Sequence, residues 1–138
     1  MINNMRPSYV QVALDFMNRD HAEFVKMHDH ILNLLAQARE GAAIEVALSQ
    51  LLLHTRHHFE AEEQAMQAAQ FPPYPMHKME HDRVLAILTQ QVSAWQQTQD
   101  ATALREFFEV ALTQWFTQHV NMMDKVTAKY IAHHTAVH

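Results

Sequence analysis

The sequence predicts an all-α fold, an antiparallel up-down-up-down four-helix bundle with an N-terminal arm. Three observations lead there. The 138 residues include one glycine and four prolines, so breaks are few and the segments between them long. Ala, Leu, Gln, Met and Glu, all good helix formers, outnumber Val and Ile. Apolar residues make up 49 % of the chain and recur in steps of three and four, not in alternation. The length suits a single domain, residues 1–138, with enough apolar surface for a core.

The elements follow in order. An arm of about residues 1–13 precedes the bundle, which occupies about residues 14–132. The first helix runs from about Leu14 to Glu40 and is expected to stop at Gly41, in the C′ position. The second starts near Ala42 and ends before "FPPYP", where three prolines in four residues break any helix. The third begins near Pro75, a residue suited to a first helical turn, and reaches about Thr98. The fourth follows Asp100, a natural N-cap, and runs to about Gln118, with a further helical piece to about Ala132. Short connections make consecutive helices antiparallel neighbours, with the arm across the outside or end of the bundle.

Each helix carries an inward stripe. It is Leu14, Met17, His21, Phe24, His28, Ile31 and Leu35 on the first helix. On the second it is Ile44, Leu48, Leu51, Thr55, His58, Glu62 and Ala65. The third presents His77, His81, Val84, Leu88, Val92 and Trp95, and the fourth Leu104, Phe108, Ala111, Trp115 and His119. Polar residues interrupt every stripe. In an antiparallel bundle His21, His58, Glu62, His77, His81 and His119 fall at one end of the core.

Composition narrows the function. A net charge of −5 and no basic face argue against nucleic acid. The absence of cysteine excludes disulfides, thiolate metal sites and iron–sulfur clusters. No stretch reads as a signal peptide or reaches the roughly 18 apolar residues of a membrane span, so a cytoplasmic protein without a membrane partner is expected. The chain leaves the oligomeric state open; a monomer is the simplest form. One count stands out: twelve histidines, more than Lys and Arg together.

Five imidazoles and a carboxylate in one core layer cannot satisfy one another by hydrogen bonds, and burying them unpaired is costly. They are the usual donors to iron, zinc or copper. His58 with Glu62, and His77 with His81, have the i, i+4 spacing that puts both members on one helix face. His57, Glu60 and Glu63 of "HHFEAEE" are expected to face outward. His119 and Asp124 are five apart, about 140° on an ideal helix, so a distortion is expected near Val120 to Met123. Seven ligands exceed the four of a tetrahedral zinc site. They suit two octahedral ions: five imidazoles, two bridging carboxylates and one bridging oxygen fill all but one of their twelve positions. The remaining position is where a small molecule binds.

Other histidines read differently. His28 lies two turns from His21, roughly 10 Å away and too far for the same ion; it is expected to be a hydrogen-bonded core residue. His54 is expected to flank the site, partly buried. His30, His57, His133, His134 and His138 are expected at the surface or in the tail. Trp115, Phe59 and Leu residues are expected to wall a dry pocket.

"DHAEF", "HHFEAEEQAM", "HKMEH" and "WFTQHVNMMD" resemble the bacterial hemerythrins in order and spacing, over about residues 20 to 124. The resemblance implies two non-haem irons. His77, His81 and His119 would bind one; His21 and His58 would bind the other, which keeps the open position. Glu62 and Asp124 would bridge them with an oxo or hydroxo group. The family binds O2 reversibly at the open iron, two electrons and a proton passing to it. His28 and His54 depart from the apolar or aromatic residues expected of relatives. None of the nine glutamates has His three residues later, the pairing that ferritin-like di-iron enzymes require. The expectation is therefore O2 storage, delivery or sensing, not catalysis. The alternative is a di-iron enzyme handling peroxide or nitric oxide, which an imidazole reaching the pocket would favour.

Overall fold

The computed structural model describes residues 7–38 and 41–137. The first three helices are α1 (Asp15–Ala36), α2 (Gly41–Ala68) and α3 (Tyr74–Thr98). A fourth continuous helix, residues 101–137, carries two π-helical turns, Phe107–Leu112 and His119–Asp124. No strand occurs among the described residues. The architecture is the four-helix bundle that the apolar periodicity predicts.

The helix ends differ in one respect from the sequence expectation. Gly41 does not close α1; it opens α2. The α1 helix ends at Ala36, and the left-handed residue after it is Ala38, with φ 52°. The expected helical end at Glu40 lies outside the described residues. Gln70 and Gln99 take the same left-handed conformation after α2 and α3. A Cβ on Gly41 would sit 2.6 Å from the Gln99 side-chain oxygen, and the Gly41 carbonyl accepts from the Trp95 indole at 3.3 Å. Only the end of the flexible Gln99 side chain would have to move aside for a Cβ there. Asp100 caps the last helix as expected, its carboxylate accepting from the Ala103 N–H at 3.1 Å.

The inward stripes of α1 to α3 are the ones predicted, with Leu14, Ala65 and Val92 only half-buried. The last helix departs. Ala111 is exposed and Trp115 half-buried, while Leu112, Thr113 and Phe116 are buried. The first π turn is the cause. A wider turn takes up one extra residue, so Leu112 and Phe116 replace Ala111 and Trp115 as inward positions.

Apolar residues form two clusters. The larger runs from Phe24 and Val84 to Ile44 and Trp95. The smaller, Met66, Phe71 and Ile131, closes the end where α2 turns into α3. The histidine layer lies between them. The described part of the arm lies along α1 and the last helix. The backbone N–H groups of Ser8 and Val10 donate to Thr117 Oγ1 and Asn121 Oδ1. Val12 exchanges two hydrogen bonds with the Asn18 side chain. No described helix is long and apolar enough to cross a membrane.

Candidate metal centre

The seven residues singled out by spacing meet in one place. His21, His58, Glu62, His77, His81, His119 and Asp124 are all buried, from 0 to 8 % exposed. They fall into two overlapping sets of donor atoms, each within 4.8 Å of one another. One is Glu62, His77, His81, His119 and Asp124; the other is His21, His58, Glu62 and Asp124. Both carboxylates belong to both sets.

Local structure explains how each side chain arrives. His58 and Glu62, one turn apart on α2, meet at 2.7 Å. His77 and His81 stand one turn apart on α3, rings 4.5 Å apart. His119 and Asp124 open and close the second π turn, where the distortion was expected, and their side chains meet at 3.1 Å. The π turn brings i and i+5 to one face, which an α-helix would keep apart.

All five imidazoles turn Nε2 inward. His58 Nε2 lies 2.7 Å from Glu62, His81 Nε2 3.1 Å from Glu62, and His77 and His119 Nε2 3.1 Å from Asp124. His21 Nε2 is 3.0 Å from Asp124. Three Nδ1 atoms are held from outside. His58 Nδ1 donates to Asp20 at 2.8 Å, His81 Nδ1 to Glu63 at 2.9 Å, and His77 Nδ1 pairs with the Thr127 hydroxyl at 2.9 Å. An imidazole whose Nδ1–H is donated outward presents a lone pair at Nε2, the arrangement that orients metal-bound histidines. Here those lone pairs face carboxylate oxygens, which are also acceptors. Both Glu62 oxygens, Asp124 Oδ1, and Nε2 of His77, His81 and His119 are buried without a hydrogen-bond partner. Converging acceptors left unsatisfied in a protein interior call for cations. The donor set fits them.

Protons fill that role in the metal-free protein. Burial opposes charge on His58, but Glu62 and Asp20 outweigh it and push its pKa up to about 10. His119 is raised against burial by Asp124. Burial and the Asp124 charge work against ionised Glu62, yet His58 and His81 hold it below the usual carboxylate range.

Asp20, Glu63 and Thr127 were not singled out from the sequence, and Glu63 was expected to face outward. It folds back because His81 offers it a donor. Each had a weak signal: Asp20 directly precedes His21, Glu63 directly follows Glu62, and Thr127 comes three residues after Asp124. His30, His57 and His133 are exposed as expected. His134 is half-buried, stacked 3.8 Å from Tyr130. His138 lies outside the described residues.

A cavity of about 20 Å³ adjoins the His21 and His58 side of the cluster. Its apolar walls are Phe24, Phe59, Trp115 and Phe116, and no leucine lines it, contrary to expectation. Phe116 stacks on Phe24 at 4.5 Å, and Trp115 on His119 at 4.8 Å. Trp115 also donates its indole N–H to Glu80 at 2.7 Å. His54 lines the cavity as well, stacked parallel to His58 at 6.5 Å, its Nε2 3.2 Å from the Asp20 carbonyl.

The family model described as the Hemerythrin HHE cation binding domain matches residues 12–131. The chain belongs to the hemerythrin family. A bacteriohemerythrin of Ralstonia nicotianae is 37 % identical over 113 residues, 82 % of this chain and 77 % of the relative. One of Aquifex aeolicus is 27 % identical over 128 residues, 92 % of this chain and 97 % of the relative. One of Stenotrophomonas maltophilia is 21 % identical over 125 residues, 91 % of this chain and 79 % of the relative. No solved structure matches. The family and the buried cluster agree on a metal-binding bundle, with iron the metal they support.

Proposed function

We propose that this hemerythrin-family protein holds two non-haem irons and binds O2 reversibly at one of them. The observation that carries the reading is the asymmetry of the two donor sets. Glu62 and Asp124 belong to both sets and would bridge; His77, His81 and His119 would complete one ion, while only His21 and His58 would serve the other. With one bridging oxygen atom, the second ion would be a single ligand short of six. The small cavity is lined by His21 and His58, and its volume is about that of one water-sized molecule. Bound iron would supply the electrons that O2 takes up and returns.

The protein's own groups favour return over bond cleavage. Four aromatic rings line the cavity. Asp20 lies at its edge, but its Oδ2 accepts from His58 Nδ1. With its Nε2–H donated to the Asp20 carbonyl, His54 directs its ring proton away from the cavity. None of the described residues that line the cavity aims an acid into it, and splitting an O–O bond needs one. Iron-loaded, reduced protein exposed to air should form a coloured adduct that fades when the gas is purged. A one-way oxidation would refute the reading.

His54 is the observation that favours the second reading, an enzyme handling peroxide or nitric oxide. If the iron-loaded protein turns over hydrogen peroxide and His54→Leu abolishes that turnover, catalysis replaces carriage.

A further inference from the structure

His28 is completely buried and takes no part in the cluster. Its Nε2 lies 2.7 Å from the Phe108 carbonyl and 3.0 Å from Thr113 Oγ1. A carbonyl only accepts, so Nε2 carries the proton. The Thr113 hydroxyl donates to the same carbonyl at 2.7 Å, which leaves its oxygen free to share the His28 proton. Imidazole, hydroxyl and carbonyl thus form a closed triangle, and two of its corners belong to the last helix. Phe108 lies inside the first π turn and Thr113 directly follows it. A π turn is less stable than the α turn it replaces and survives where outside contacts hold it. Buried groups that would lose partners if the turn relaxed are such contacts.

The turn sets the phase of the residues just after it. Counted at α pitch from Leu104 and Phe108, the inward positions are Ala111, Trp115 and His119. With the extra residue the first two give way to Leu112 and Phe116, which are buried, while Ala111 is exposed and Trp115 half-buried. We propose that His28 is a positioning residue: it pins the first π turn and so phases the last helix to bring Leu112 into the core and Phe116 to the wall of the cavity beside the metal cluster. For what Phe116 does there, the proposal rests on the di-iron reading. The contact itself does not.

The test separates the two. Amide hydrogen exchange is measured along residues 108–118 of the metal-free full-length chain. The variants are His28→Leu, His28→Gln, Thr113→Val and, as a control in the distant core, Ile44→Ala. Glutamine can place an N–H near the position of Nε2. His28→Leu and Thr113→Val should accelerate exchange in this segment about tenfold beyond any global destabilisation. His28→Gln should restore it to within about threefold, and Ile44→Ala should move it only as far as global stability moves. Azide release from the iron-loaded protein should speed up about tenfold in His28→Leu and recover in His28→Gln. Exchange that merely follows global stability, or a glutamine variant indistinguishable from leucine, would overturn the proposal. Faster local exchange with unchanged azide release would overturn the link to the site. If His28→Leu does not fold, Thr113→Val decides, since it leaves the imidazole in place. Failure of the wild type to hold iron would sink the di-iron reading while the exchange data still judge the contact.

Discussion

Metal loading should expel protons, and His58 should be the main source above neutral pH. The metal-free protein keeps this buried imidazole charged to about pH 10, because Glu62 and Asp20 outweigh the cost of burial. A metal ion needs its lone pair, so the proton must leave. At pH 8 its removal costs about 3 kcal/mol, two pKa units at about 1.4 kcal/mol each. Calorimetric titration of metal into the metal-free protein, in buffers of different ionisation enthalpy, counts the protons released. At pH 8 at least about one proton should appear per cluster filled, and this contribution should vanish above about pH 10. Glu62→Gln removes the largest upward influence and should reduce the release at pH 8. The same group fixes a stability trend. Its folded-state pKa lies above the ordinary value of 6.5, so its contribution is complete below about pH 6.5 and is lost as pH rises towards 10. The metal-free protein should therefore weaken over that range, by about 5 kcal/mol at most, while the loaded protein should not. Metal uptake that releases no protons between pH 7 and 9 would refute the reasoning.

Three further outcomes follow from the geometry. Gln70 holds φ 54° after α2, and glycine there should raise stability by about 1 kcal/mol in denaturant titrations. Asp100→Ala removes the cap bond to Ala103 and should cost about 1 kcal/mol by the same method. Phe116→Ala removes a buried ring stacked on Phe24, should cost about 3–5 kcal/mol, and should admit water to the cavity, seen as faster oxidation of the loaded protein.

The legible parts of this protein were those written in periodicity. Steps of three and four placed the stripes of α1 to α3, the polar interruptions in the four stripes marked six of the seven clustered residues, and the spacing from His119 added Asp124. The five-residue gap between His119 and Asp124 demanded a distortion, and the second π turn supplies it. The first π turn has no such marker: "FFEVAL" reads as ordinary helix, and its cause, His28, is 80 residues away in sequence from Phe108. Gly41 misled because glycine signals a helix end in general, whereas here alanine and glutamine take the left-handed positions. Asp20, Glu63 and Thr127 escaped notice because their role depends on which ring nitrogen faces them, which spacing does not encode.

The most direct test of the central claim is an optical one. Protein reconstituted with two irons is reduced without air, exposed to O2, and then purged with inert gas, with spectra taken throughout. A coloured band that rises with O2, falls on purging and returns on re-exposure is the expected result. Irreversible bleaching or oxidation at first exposure, with no band that purging can reverse, would contradict it.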